Sequence, residues 1–198
     1  MRLTIGVSDQ NIKDIETQLD GIRKPESAVK TAVNNASKKV QRNLANKASK
    51  QYAGPIARQG TILAKSDIKK ASAASQQATI KFKSPVYEPR DYRVLGVSLD
   101  SGKITGRKLT KKGKAAKIKI NVLKGKAKEV KGAFVVRFKN GHVAIAGRKK
   151  GSRKIRTFLS PSYMKMIGNE KVYDPREVSE ILNVEVEKVI AKALKGGR

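Results

Sequence analysis

Gly132-Ala133-Phe134-Val135-Val136-Arg137-Phe138-Lys139-Asn140-Gly141-His142-Val143-Ala144-Ile145-Ala146-Gly147 is the stretch that decides the fold of this chain. Two apolar-rich runs flank Asn140-Gly141, the dipeptide favoured in two-residue type I′ hairpin turns because both central positions need positive φ. Folding about that turn predicts Phe138 opposite Val143 and Val136 opposite Ile145 on one face. Arg137 with Ala144, and Lys139 with His142, then share the other. One side is apolar and one is basic, the pattern of an antiparallel sheet with a solvated face.

Moving upstream, Ile118, Ile120 and Val122 alternate with Lys117, Lys119 and Asn121 and predict a strand. Leu95, Val97 and Leu99 predict another, ending at Asp100-Ser101-Gly102. Ala78, Ile80 and Phe82 alternate with Thr79, Lys81 and Lys83 in a third. Residues 84–91 contain Pro85 and Pro89 and predict an irregular loop. Residues 101–116 are rich in Lys and Gly with few apolar anchors, and predict a mobile loop. Downstream, Arg148 to Lys154 is a basic connection, and Ile155 to Leu159 predicts a further strand.

Helices flank this β-rich middle. Ser8-Asp9 has the character of a cap, with Ile12, Ile15, Leu19 and Ile22 following at helical spacing until Gly21 to Pro25 breaks the pattern. Pro25 and Glu26 suit the first turn of a second, long helix. Its apolar positions Val29, Val33, Ala36, Val40, Leu44 and Ala48 recur every three or four residues up to about Tyr52. That stripe is narrow, which favours packing against another helix or a neighbouring subunit over deep burial. Val29, Val33, Ala36, Val40 and Leu44 are therefore candidates for subunit packing. Gly54-Pro55 ends the helix, and Ser66-Asp67 predicts a short one with Ile68 and Ala71 inward. Asp174-Pro175-Arg176-Glu177 starts the last helix, whose stripe runs from Val178 to Leu194 before Gly196-Gly197. The expected fold class is α+β: N-terminal helices, an antiparallel sheet of four to six strands, and a C-terminal amphipathic helix. The expected organisation is a single domain over 1–198, with a mobile basic loop around 101–116.

The 198 residues carry 45 Lys+Arg against 16 Asp+Glu, a formal net charge of +29. Residues 101–160 alone hold 20 basic residues and one acidic one, Glu129. Such a surplus predicts a polyanionic partner. The strands expose Lys81, Lys83, Lys117, Lys119, Arg137 and Lys139 on their polar sides. Two clusters add flexible phosphate contacts: Arg107, Lys108, Lys111, Lys112, Lys114, and Arg148, Lys149, Lys150, Arg153, Lys154, Arg156. All of these from Arg107 onward are candidate DNA-facing residues. Nothing resembles a recognition helix or an aromatic RNA-binding sheet, so sequence-independent, salt-sensitive binding is expected. Tyr87 and Tyr92, beside Arg90 and Arg93, could stack on bases or pack over the sheet edge; packing is the simpler expectation.

Other chemistry finds little support. The chain has no Cys, which removes disulfides and thiolate metal sites, and one His, His142, which is expected at the surface. Gly102 to Gly106 lacks the frame of a phosphate-binding loop. Glu88 and Asp91 are the close acidic pair of the sheet region, a weak basis for a nuclease. No enzyme activity, cofactor or metal is expected. The N-terminus turns polar too soon for a signal peptide, and there is no apolar run long enough for a membrane span.

Taken in order, these features resemble the minor tail protein Z family, the tail-completion proteins of long-tailed bacteriophages. The resemblance rests on Ala32 to Ala48, Gly132-Ala133-Phe134, Lys139-Asn140-Gly141, Leu159-Ser160-Pro161 and the helix from Pro175 to Leu194. It implies a structural virion protein made in the host cytoplasm and placed in the neck, where tail meets head. It further implies a homo-oligomeric ring, expected as a hexamer, around the DNA channel. Its neighbours would be tail terminator or tail tube proteins, head-connector proteins and phage DNA, with no membrane partner. The alternative from composition is a cellular nucleic-acid-binding protein of ribosomal or nucleoid type.

Overall fold

The computed structural model describes residues 2–6, 25–83, 85, 87–100, 103–148, 151 and 153–196. The helix expected after Ser8-Asp9 lies outside them. In chain order the elements are β1 (Arg2–Gly6), α1 (Pro25–Gln51), α2 (Gln59–Ala64), β2 (Ser66–Lys69) and β3 (Gln77–Phe82). There follow β4 (Arg93–Leu95), β5 (Val97–Asp100), β6 (Lys103–Arg107), β7 (Lys119–Leu123) and β8 (Lys126–Glu129). The chain continues through β9 (Phe134–Arg137), β10 (Val143–Arg148), β11 (Ile155–Thr157), α3 (Tyr163–Ile167) and α4 (Pro175–Gly196). The fold class is α+β, with long helices towards both ends and several antiparallel sheets. The single domain expected over 1–198 packs as two compact units. One comprises Met1–Lys47, Leu63–Lys83 and Ile167–Arg198; the other comprises Ala48–Ile62 and Ser84–Met166.

In the first unit, a sheet of order β1-β3-β2 packs with α1 and α4. Ala78, Ile80 and Phe82 are buried while Lys81 and Lys83 are exposed, as the alternation of β3 predicts. Of the two roles expected for the stripe of α1, the structure shows packing against another helix, and at full burial. Val29, Val33, Ala36, Val40 and Leu44 are only 0–3% exposed within the chain, so they offer no seam to a neighbouring subunit. Their small side chains let α4 and the 71–78 segment approach closely. Val29 and Val33 pack with Ala71 and Ala78, and Leu182, Val186 and Ile190 of α4 lie against them. The helix expected from Ser66 is instead strand β2, with Ile68 registered against Ile80 of β3. The Ser66 hydroxyl donates to the Leu63 carbonyl at 2.9 Å, closing the end of α2 rather than opening a helix. Ala71 is inward all the same, tied at its N–H to the Asn34 side chain (2.8 Å).

The second unit gathers three antiparallel sheets, of order β4-β7-β8, β5-β6 and β11-β10-β9. They share one core, formed by Val94, Val97, Ile104, Ile118, Ala133 and Ile145, with Val135, Val143 and Phe158 packed on it. Leu95, Val97 and Leu99 do not form the single alternating strand that the sequence predicts. Gly96, at φ +83°, bends the run so that β4 and β5 join different sheets. Val94 and Val97 consequently turn inward, leaving Leu95 and Leu99 41% and 50% exposed. In β7, Asn121 is buried rather than solvated, while Lys119 on the same side stays exposed.

The Asn140-Gly141 hairpin forms, but one residue out of the expected register. Val143 pairs with Arg137, Ala144 with Val136, Ile145 with Val135 and Ala146 with Phe134. Gly141 N–H donates to the Phe138 carbonyl (2.9 Å), and Phe138 N–H donates to the His142 carbonyl (2.8 Å). Gly141 has φ +77°, whereas Asn140 is not among the described residues with positive φ. The connection is therefore a three-residue loop, a type I turn closed by a glycine bulge, and not a type I′ turn. A one-residue slip exchanges the partners across the ladder. Val135, Val143 and Ile145 face the core, while Phe134, Val136 and Ala144 share the other side.

Candidate nucleic-acid interface

The region expected to be a mobile loop, 101–116, is largely built. Lys103–Arg107 is β6, paired with β5, and Ile104 enters the core. Beyond it the chain doubles back as an exposed ribbon. Lys108 N–H donates to the Gly96 carbonyl (3.2 Å), Ala116 N–H to the Lys108 carbonyl (2.8 Å), and Thr110 N–H to the Lys114 carbonyl (2.7 Å). Leu109 and Ala115 form a bridge between these bonds. Gly113 N–H donates to the Thr110 carbonyl (2.9 Å), and Gly113 has φ +72°. This is the same glycine-bulge hairpin as Phe138 to His142, made a second time from Thr110-Lys111-Lys112-Gly113-Lys114.

The ribbon carries most of the first basic cluster. Alternation sets Lys108, Thr110 and Lys114 on one face and Leu109 with Ala115 on the other, with Lys111 and Lys112 in the turn. Every residue from Arg107 to Ala115 is exposed. Arg107 folds back, its Nε donating to the Ala116 carbonyl at 2.8 Å. That bond anchors the base of the ribbon and leaves the rest of the guanidinium available.

The second cluster lies at the β9–β10–β11 sheet. Arg137 and Lys139 are exposed on either side of Phe138, whose ring stacks on His142 with centroids 6.0 Å apart. The Arg148 guanidinium sits 5.7 Å from the centre of the Phe134 ring, and Arg156 is registered against Gly147. Arg153, Lys154 and Arg156 are exposed; Lys149 and Lys150 lie outside the described residues. Lys117 and Lys119 are exposed too, but both lie beside Glu129. Lys117 pairs with it at 3.2 Å, and Lys119 is its partner in the β7–β8 ladder.

Four further lysines escape the sequence reasoning. Lys124, Lys126, Lys128 and Lys131 are all exposed on or beside β8, an edge strand with every residue open to solvent. The signal is present as alternation over Lys126-Ala127-Lys128, but the apolar partner of that pattern is a single Ala. Lysines along an edge also discourage strand addition, so this strand has a reason to be basic apart from any ligand.

The second unit contains 25 basic and 4 acidic residues, a net charge of +21. Glu88, Asp91 and Glu129 are engaged as follows. Glu129 takes Lys117, Asp91 accepts the Glu88 N–H at 2.7 Å, and Glu88 pairs with Arg90 (3.1 Å) and His142 Nε2 (2.8 Å). The Glu88 and Asp91 carboxylates thus cap the short turn at Pro89–Asp91 and tie it to the β9–β10 loop. His142 is partly buried in that contact rather than free at the surface. No group of three or more His, Asp or Glu arranged to hold a metal occurs among the described residues.

Tyr52, Tyr92 and Tyr163 are buried, while Tyr87 and Tyr173 are half-buried. Tyr163 is fully buried, donates to the Ile56 carbonyl (3.0 Å), and meets Tyr87 edge-on at 5.1 Å. Tyr92 is 3% exposed and donates to the Pro161 carbonyl at 2.5 Å. Burial pushes the Tyr92 and Tyr163 phenols well above their ordinary range, keeping both protonated as donors. Neither is available for base stacking. The exposed Lys and Arg side chains are suited to phosphate oxygens, and contacts of that kind carry no sequence information. No helix among the described residues is long and apolar enough to cross a membrane. Compared with family models, curated proteins and solved structures, the chain matches none of them.

Proposed function

We propose that this chain is a structural virion protein of a long-tailed phage, a tail-completion component that rings the DNA at the head-proximal end of the tail. The supporting observation is the +21 charge of the second unit, carried on exposed hairpins and strand edges. A protein surrounding a polyanion benefits from such loops directed at the lumen, where phosphates relieve their mutual repulsion. The family reading adds the order of elements: a long Ala-rich helix, the Gly-Ala-Phe strand, the basic hairpin and the C-terminal amphipathic helix. In this proposal the chain binds and assembles and does no covalent chemistry. Because the α1 stripe is filled from within the chain, subunit contacts use other surfaces. Mass spectrometry of purified virions tests the reading: the protein copurifies with tails and cross-links to itself and to connector or tail tube proteins. Its absence from virions would overturn the proposal.

A second reading, a cellular nucleic-acid-binding protein of ribosomal or nucleoid type, draws on the Asp100-to-Glu129 interval, which contains no acidic residue. An exposed basic ribbon of that kind suits any phosphate backbone. Co-sedimentation with ribosomes or nucleoids, together with absence from virions, favours it.

A further inference from the structure

We infer that the ribbon Lys108 to Ala116 is a duplex-DNA contact element, in which four lysines meet phosphates and Leu109 makes an apolar contact inside the groove. The inference rests on the DNA-contact reading above and names the element and the form of DNA that carry it. The ribbon is hydrogen-bonded along its backbone, so the points from which its lysines extend are fixed. Lys108 and Lys114 lie on one face, and Lys111 and Lys112 occupy the turn beyond them. No carboxylate occurs in the sequence between Asp100 and Glu129, so the ribbon has no acid of its own to neutralise these lysines.

Leu109 is the second observation. At 69% exposure it is the most exposed large apolar side chain of the described residues, and it stands on the ribbon face opposite Lys108 and Lys114. Its partner across the ribbon is Ala115, and most of the leucine remains in water. A loop that needed only charge and solubility would gain nothing from leucine there. A two-stranded ribbon fits the major groove of B-DNA, about 12 Å wide. Seated in it with Leu109 toward the base edges, the ribbon brings the turn lysines Lys111 and Lys112 to the bordering phosphates, and the long side chains of Lys108 and Lys114 reach for them from its outer face. A lone leucine makes no hydrogen bond to a base edge, so it adds affinity with little selection of sequence. A single strand or a polysulfated sugar supplies charge but no groove, which separates them from the duplex.

The test is fluorescence-anisotropy binding of the full chain to a 30-base-pair duplex over a range of NaCl concentrations. The K108A/K111A/K112A/K114A variant should lower the slope of log K against log salt by about 3 to 4, since each phosphate contact contributes about 0.9. L109A should leave that slope unchanged and weaken duplex binding about fivefold at every salt concentration, as loss of an apolar contact does. Binding of L109A to heparin should equal that of the parent chain. K30A/K38A, on exposed positions of α1, should keep the parent slope. Circular dichroism confirms that each variant is folded. A parent slope in the four-lysine variant, with DNA binding intact in the parent, would overturn the ribbon assignment alone. Equal loss of duplex and heparin binding in L109A would overturn the groove contact. A parent chain that binds no DNA would instead overturn the reading on which both rest.

Discussion

The Glu185 carboxylate, 5% exposed on α4, lies 2.5 Å from the Lys39 ammonium of α1. Eight residues further along α1, Lys47 pairs with Glu177, and Asn43 Nδ2 donates to the same carboxylate at 2.9 Å. These contacts run down the antiparallel α1–α4 pair beside the Val29–Val33 core. The buried charge survives because it is paired twice, the second time with Lys188 at 3.4 Å. The Lys39 hydrogen bond holds the Glu185 carboxyl below the usual carboxylate range, outweighing the opposing effect of burial. The Lys47 and Asn43 hydrogen bonds do the same for Glu177.

The pH dependence follows in sign. Both carboxyls are depressed in the folded state, so unfolding takes up protons on the acid side. Their contribution is fully present above about pH 5 and is lost as pH falls through the folded values. Urea midpoints measured from pH 7 down to pH 3 should fall steadily. Glu185→Gln should lower stability by about 1 kcal/mol at pH 7 and flatten that fall. An unchanged slope in the variant would show that Glu185 does not carry the effect.

Gly96 supplies a sharper test of the second unit. A Cβ built there would lie 2.2 Å from the Lys117 carbonyl oxygen, and the backbone has φ +83°. Gly96→Ala should cost about 3 kcal/mol, because both strain and a backbone collision oppose it. Gly113 has a similar φ of +72° with nothing within 4 Å. Gly113→Ala should cost about 1 kcal/mol. Equal losses in the two variants, read from denaturation midpoints, would contradict the close approach of Gly96 to Lys117.

The β9–β10 connection distinguishes two turns that share a sequence. In a type I′ turn both Asn140 and Gly141 need positive φ, and alanine at either position is costly. In the observed turn only Gly141 does, at +77°. Gly141→Ala should therefore cost about 1 kcal/mol. Asn140→Ala should cost less, losing only the hydrogen bond from His142 N–H to its side chain (3.1 Å). Cross-strand NMR contacts should join Val136 to Ala144 and Val135 to Ile145.

Much of this fold was legible because apolar spacing and turn chemistry agreed. Pro25, Glu26 and Asp174 marked helix starts, and Ala78 to Phe82 alternated cleanly. The differences between pattern and structure have physical causes. Gly96 was a bend that exchanged the inward side of the following strand, and alternation across it could not be read as one run. The hairpin register depended on whether the turn held two residues or three, which Asn-Gly alone does not fix. The 108–116 ribbon is held by backbone hydrogen bonds with only Leu109 and Ala115 as apolar markers, so period two was nearly invisible. The α1 stripe looked too thin to be core because the second layer that fills it, on α4, lies more than a hundred residues away. Basic site residues were visible as composition. Their arrangement on a shared turn geometry was not.

Under the function proposed above, the second unit binds DNA through the phosphates. Equilibrium binding of the full chain to unrelated duplexes, between 50 and 200 mM salt, tests it most directly. Nearly equal affinity for different sequences is expected, with a loss of about a thousandfold or more across that range, as for six or more phosphate contacts. Affinity that is absent, or that does not change with salt, would contradict it.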